Sequence, residues 1–267
     1  MGESLLRILT TVLNAFFEQG LARVSHRPKL RFSTFSRYEY DPQGGEGVDV
    51  YVIDTGINIE HVEFEGRASW GKTVPDNDVD EDNNGHGTHC AGTIASRRYG
   101  VAKAANVIAV KVLGSNGSGT MSDVVKGVLW AAEQAMDKAA AADAEYAATG
   151  KTKHKGSVAN MSLGGGKAQT LDDAVNRAVL NGLHFAVAAG TSPHLSSMAS
   201  RLKKSQVMIS GMLANIRLLV LNGPSLSPPP PLLMNGPTSP TMVLALTSSH
   251  QVHLPHFPLE ISQTDTI

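Results

Sequence analysis

The sequence predicts an α/β fold in which helices cover both faces of a mainly parallel sheet, giving three layers. Two observations predict it. From about Gly45 to Gly190, short apolar β-branched runs alternate with longer helical patterns, which is how strands joined by crossover helices read. Each run also ends in small or polar residues, and the carboxyl ends of parallel strands are where sites collect in such sheets.

The four runs are Val48–Ile53, Val107–Val112, Val158–Leu163 and Leu183–Ala188. They close on Asp54-Thr55-Gly56, Leu113-Gly114-Ser115, Gly164-Gly165-Gly166 and Ala189-Gly190, so chemistry is expected on those loops. Three helices are expected between them: His86 to Ser96, an Ala-rich one from Ser122 to about Thr149 behind a Ser/Asp cap, and Thr170 to Asn181. Leu171, Ala174, Val175 and Ala178 share one face of the last, and Gly182 stops it. The acidic loop Asp76–Asn84 reads as a solvated turn, because its spacing does not match a calcium loop of the D-x-D-x-D-G type. Beyond Gly190 the texture changes. Ser225–Pro240 is dense in Ser and Pro, with prolines at Pro228 to Pro231, and neither strand nor helix period follows. Composition alone predicts a disordered tail there.

A 42% hydrophobic content over 267 residues can fill a sizeable core. With 23 basic against 24 acidic side chains, charge gives no reason to expect nucleic acid or a membrane surface as partner. Cys90 is the single cysteine, which excludes an intramolecular disulfide. No signal peptide is expected in the opening stretch, where Arg7 and Asn14 interrupt Leu5–Phe17 and Glu3 sits where a basic region should be.

Asp54 closes the first run, and a charge at the mouth of a buried strand needs a partner. Gly85-His86-Gly87-Thr88-His89-Cys90 offers one, since its two glycines let backbone approach closely just where a helix begins. A His86 ring held by Asp54 through one nitrogen keeps the other free to take a proton from a nucleophile. Alone, Asp-Thr-Gly also occurs in aspartic proteases and in ordinary turns. His86 and His89 as a metal pair lack the helical His-x-x-x-His spacing and a third ligand.

Four blocks in this order carry a resemblance: Val48–Gly56, Asn84–Ser96, Lys111–Ser122 and Asn160–Gly166. They resemble the subtilase family of serine proteases, in particular its proteinase K branch and fungal vacuolar cerevisin-like members, over about Gly20 to Gly190. The resemblance implies a subtilisin-like fold, incomplete after the fourth run, and a serine endopeptidase that cuts polypeptides through an Asp-His-Ser triad with broad specificity. Asp54 and His86 take the places of the triad Asp and His. Gly117, Ser118 and Gly119 take those of the strand that pairs with substrate backbone, and Ser162, Leu163 and Gly164 form the opposite wall. Cys90 takes the place of a free cysteine beside the catalytic His, with burial as a small hydrophobe its expected role. No metal ligand is assigned, although the family leaves room for calcium. A monomer in the vacuole or outside the cell is the implied setting.

The departures are as specific as the matches. Where the family continues Ala-Ala-Gly with the oxyanion Asn, this chain has Thr191, and no Gly-Thr-Ser-Met-Ala follows. Gly190-Thr191-Ser192 is expected to be a decoy, since Ser192 directly follows the strand that should carry the oxyanion Asn. The expected organisation is a non-family leader over 1–19, a peptidase domain over 20–190 and an out-of-family tail over 191–267. As written, the chain is expected to lack the nucleophile, leaving an inactive pseudoprotease or peptide-binding fragment as the alternative. Shifting Leu233–Val252 by two bases, with suitable third bases, yields DERAYFSNYGTCTDIFAPG, which is similar to the family's segment between oxyanion Asn and nucleophile. The Met234-Asn235 and Met242-Val243 steps leave no codon freedom and give the required Glu and Gly. The tail from about Thr191 is therefore expected to be an out-of-frame translation, through a frameshift or a retained intron near the Gly190 codon, that the mature transcript does not share. Sequencing that transcript checks it, and one open frame running from Gly190 into Thr191 would overturn it.

Overall fold

The structure, a computed structural model, describes residues 20–188 and 243–246. Its elements in chain order are α1 (residues 20–25), β1 (Val48–Asp54), a 3-10 turn at Val62–Phe64, β2 (Ala68–Thr73), α2 (His86–Ala95), β3 (Asn106–Lys111), α3 (Met121–Thr149), β4 (Gly156–Met161), α4 (Gln169–Leu180), β5 (His184–Ala188) and β6 (Val243–Leu246). The strands form one parallel sheet in the order β2-β3-β1-β4-β5-β6. The chain starts in the middle, at β1, builds outward through β2 and β3 on one side and then through β4 and β5 on the other. Loops leaving β1 and its two neighbours therefore diverge from one point on the carboxyl edge.

All seven residues of β1 are buried, as a central strand covered on both faces requires. Successive side chains of a strand point to opposite faces. Val48, Val50 and Val52 pack with Ala91 and Ala95 of α2, whereas Tyr51 and Ile53 pack with Val128 and Ala131 of α3 and with Leu171 and Ala174 of α4. Asp54 has the parity of Val48, Val50 and Val52, so the same alternation turns its carboxylate toward the α2 layer.

The four predicted runs become β1, β3, β4 and β5, and the three predicted helices α2, α3 and α4, with ends displaced by one or two residues. Thr120 caps α3, its side chain accepting from the Asp123 N–H, so the helix opens at Met121 and the cap lies two residues before the predicted Ser122 start. Leu171, Ala174, Ala178 and Val179 are the buried face of α4. Two strands lie outside the predicted set. β2 is a partly exposed edge strand, Ala-Ser-Trp-Gly-Lys-Thr, whose register with β3 shifts between Trp70 and Lys72; it lacks the apolar run a buried strand would show. β6 falls in the predicted tail and extends the sheet beside β5, Phe185 aligning with Val243. The rest of 191–267 and the leader 1–19 lie outside the described residues.

Gly127 lets α3 lie close to the sheet: a Cβ there would sit 2.3 Å from Cγ1 of Val112 and 3.3 Å from Cγ1 of Val110. Gly127→Ala gains about 1 kcal/mol of helix propensity but overpacks the core, which costs about 1 to 3 kcal/mol. The clash is deep enough that overpacking should win, and a lower urea midpoint at unchanged slope is the expected result.

Candidate active site

Asp54 is fully buried at the end of β1. Its Oδ1 accepts the Thr55 N–H at 2.8 Å and faces His86 Nδ1 at 2.8 Å. Its Oδ2 has no hydrogen-bond partner among the described residues. A buried carboxylate so sparsely solvated needs a counter-charge, and the imidazole is placed to supply it. His86 opens α2, with 49% of its side chain exposed. Gly87 makes the placement possible, because a Cβ there would lie 2.1 Å from the Gly56 carbonyl oxygen and 3.2 Å from Asp54 Cβ.

The hydrogen bond to Asp54 is the chief reason the His86 ring is raised to about 10, and a contact with Cys90 adds to it against the opposing effect of burial. Cys90 Sγ stands 3.9 Å from His86 Nδ1. Burial pushes the Cys90 thiol up, but His86 and His89 outweigh it and leave it below the ordinary range. Cys90, on α2 itself, is only partly buried, short of the burial expected of a small hydrophobe; it packs against the cluster of Val50, Val52 and Ala91 and also touches the site. Among the described residues, Asp54, His86 and Cys90 are the one group of three side chains whose ligand atoms lie within 4.8 Å of one another. A thiol and an imidazole do not suit calcium, which takes oxygen ligands.

The acidic loop is largely exposed, as its composition predicts, with Asp78 and Asp82 half-buried, but three of its carboxylates are tied to neighbouring protein groups. Asp78 pairs at 3.4 Å with the fully buried Lys111, whose Nζ also donates to the Thr55 carbonyl at 2.9 Å. Asp80 accepts from Thr73 Oγ1 at 2.6 Å, and Asp82 accepts from Thr55 Oγ1 at 2.8 Å. Hydrogen bonds to protein groups explain these carboxylates. Sequence reasoning passed over Thr55, Asp82, Thr88 and Lys111; an Asp three residues before Gly85 was the available signal for the second.

The other predicted residues leave the sheet on either side of Asp54. β3 and β4 are the neighbours of β1. Gly117, Ser118 and Gly119 follow β3 as an exposed turn, with Gly117 at φ 74° and the Gly114 N–H donating to the Ser118 carbonyl at 2.9 Å. Asn84 Nδ2 donates to the Ser115 carbonyl at 2.9 Å and ties this turn to the start of α2. Ser162, Leu163 and Gly164 follow β4; Ser162 Oγ accepts from Asn160 Nδ2 at 3.2 Å, and Leu163 packs on the core. Gly190, Thr191 and Ser192 lie outside the described residues.

The sequence matches the profile of the subtilase family over residues 45–215. It is 69% identical over 172 residues to the subtilisin-like serine protease Pen c 2 of Penicillium citrinum, covering 64% of this chain and 36% of that protein. With subtilisin-like protease 8 of Arthroderma otae it shares 62% identity over 188 residues, covering 70% and 38%. The chain thus spans a little over a third of the length of these relatives. Among solved structures, a cold-adapted subtilisin-like serine proteinase superposes with a TM-score of 0.53 at 42% identity, covering 65% of this chain and 56% of that one.

A histidine raised in the folded state stabilises that state fully below its unfolded value of 6.5 and progressively less as pH climbs toward about 10. Stability to urea should therefore fall between those pH values. The fall should flatten in Asp54→Asn, as urea titrations of both proteins across that range will show. Half the ring is in water, so the effect is modest.

Proposed function

Because the chain belongs to the subtilase family, we propose that Asp54 and His86 are the orienting carboxylate and the general base, later general acid, of a serine endopeptidase that hydrolyses polypeptides. The 2.8 Å approach of Asp54 Oδ1 to His86 Nδ1 carries this reading. With Nδ1–H donated to Asp54, the ring is fixed in the tautomer whose Nε2 can accept a proton. That nitrogen takes the hydroxyl proton of the attacking serine as its oxygen bonds to the peptide carbonyl. It then returns the proton to the leaving amine when the carbon–nitrogen bond breaks. Asp54 keeps its charge throughout and stabilises the imidazolium formed between the two transfers.

Gly117, Ser118 and Gly119 are the proposed edge for the substrate backbone, with Ser162, Leu163 and Gly164 as the facing wall. Supporting this, the Gly119 N–H and carbonyl and the main-chain groups of Leu163 and Gly164 have no hydrogen-bond partner among the described residues. Such groups on exposed segments can take an extended peptide as an added strand.

The oxyanion donor and the nucleophile belong to the complete protein of this reading. In this chain Thr191 stands where the donor Asn is expected, and on this reading Ser192, directly after it, is a decoy for the nucleophile. Loss of the nucleophile from such a triad costs on the order of a million-fold in turnover. Purified chain should therefore show no labelling by a fluorophosphonate probe and no measurable peptide hydrolysis. Labelling that disappears in Ser192→Ala would overturn the missing nucleophile. Labelling that persists in Ser192→Ala but disappears in His86→Ala would place the nucleophile elsewhere in the tail.

A further inference from the structure

α2 begins without a cap of its own. Its N-cap is Gly85, at φ 93° and with no side chain, yet the first N–H groups of a helix have no partner within it. The chain supplies those partners from the preceding loop and from the end of β1. The His86 N–H donates to Asn84 Oδ1 at 3.3 Å, the Gly87 N–H to Thr55 Oγ1 at 2.9 Å, and the Thr88 N–H to Asp82 Oδ2 at 2.9 Å.

Asp82 sits at the centre of this arrangement. Its Oδ1 accepts from Thr55 Oγ1 at 2.8 Å, the Gly85 N–H at 2.9 Å and the Asn84 N–H at 3.2 Å, while its Oδ2 also accepts from the Thr88 hydroxyl. The Thr55 hydroxyl gives its one proton to Asp82 and so presents a lone pair to Gly87. The two peptide N–H groups flanking His86 therefore end on one carboxylate, Gly85 directly and Gly87 through the Thr55 hydroxyl. Burial pushes the Asp82 carboxyl up, but these bonds outweigh it and hold it below the usual range. Negative charge at a helix N-terminus is favoured as well.

We propose that Asp82 is the positioning residue of the catalytic histidine: through Thr55 and Thr88 it fixes the first turn of α2, and with it the hydrogen bond from His86 to Asp54. This rests on the reading of Asp54 and His86 as the catalytic couple. Asp82 acts through geometry, since it is not among the groups that shift the His86 ring. A neutral amide at this position would turn an N–H2 group toward the Thr88 N–H or toward the donors on Oδ1, setting donor against donor.

The test reads the His86 imidazole by nitrogen-15 NMR in the full 267-residue chain, which needs no turnover. In Asp82→Asn and Thr55→Val the His86 midpoint should fall by about one pH unit or more, and the protected Nδ1–H signal should be lost. Thr55→Ser, which restores the hydroxyl, should keep both. A folded Asp82→Asn or Thr55→Val protein with the parental midpoint and signal would reduce Asp82 to a helix cap and overturn the proposal. If neither variant folds, Thr88→Val, which removes one donor to Oδ2 and leaves Thr55 in place, decides by the same signals: a shifted midpoint supports the proposal and an unchanged one overturns it. Asp54→Asn separates the two readings. An unmoved His86 midpoint there would sink the catalytic couple itself, whatever Asp82 does.

Discussion

A fully buried carboxylate at the end of the central strand is the constraint around which the site is organised. Taking a charge out of water costs several kcal/mol even after relaxation, and Asp54 recovers little of it from its own strand. One oxygen has the Thr55 N–H and His86, and the other has no partner among the described residues. The counter-charge must then come from another element, at hydrogen-bonding distance and with little freedom to leave. That requirement explains Gly87, whose missing Cβ lets α2 start against the Gly56 carbonyl. Further along α2, Ala91 and Ala95 pack in one cluster with Val50 and Val52.

The sheet order turns a local pair into a cleft. Because β3 and β4 both adjoin β1, the turns that follow them emerge on opposite sides of Asp54, and neither has to cross the other. Lys111 closes the floor on the β3 side. Its ammonium is fully buried yet satisfied by the Thr55 carbonyl and Asp78, so one cation ties together the strand end, the acidic loop and the edge of the proposed cleft. Asp78 and Asp82 thus belong to the scaffold of the site, while the rest of the acidic loop is exposed.

Much of this was legible in the sequence because it rests on period and on glycine. Alternation in Val48–Asp54 fixes which face each residue meets, Gly87 marks a close approach that no other residue permits, and Gly85 supplies the left-handed backbone, φ 93°, that starts α2. β2 was not legible: an edge strand with one face to solvent and a register shift at Gly71 needs no apolar run. The roles of Thr55 and Asp82 were hidden for a different reason. Their hydrogen bonds span 27 and 32 residues and join a strand end to a loop and a helix start, so nothing in local composition distinguishes them from turn residues. Composition read the loop as solvated because acidic side chains usually are, and it had no way to count the N–H and O–H donors that the fold brings to them.

The raised His86 ring contains an apparent conflict. A general base must be free of its proton when the nucleophile arrives, yet Asp54 holds the ring in its charged form to about pH 10. The conflict resolves in the order of events. Burial already acts on this ring in the opposite direction to Asp54, and with half of the side chain in water that effect is only partly developed. A peptide lying along the cleft would exclude water from the exposed half and push the ring toward its neutral form. Once the proton has been taken, the imidazolium is again the species that Asp54 stabilises most, and in the peptide-bound site it forms only as attack proceeds. The pairing that delays deprotonation in the free chain then favours the transition state over the ground state, which is what accelerates a reaction.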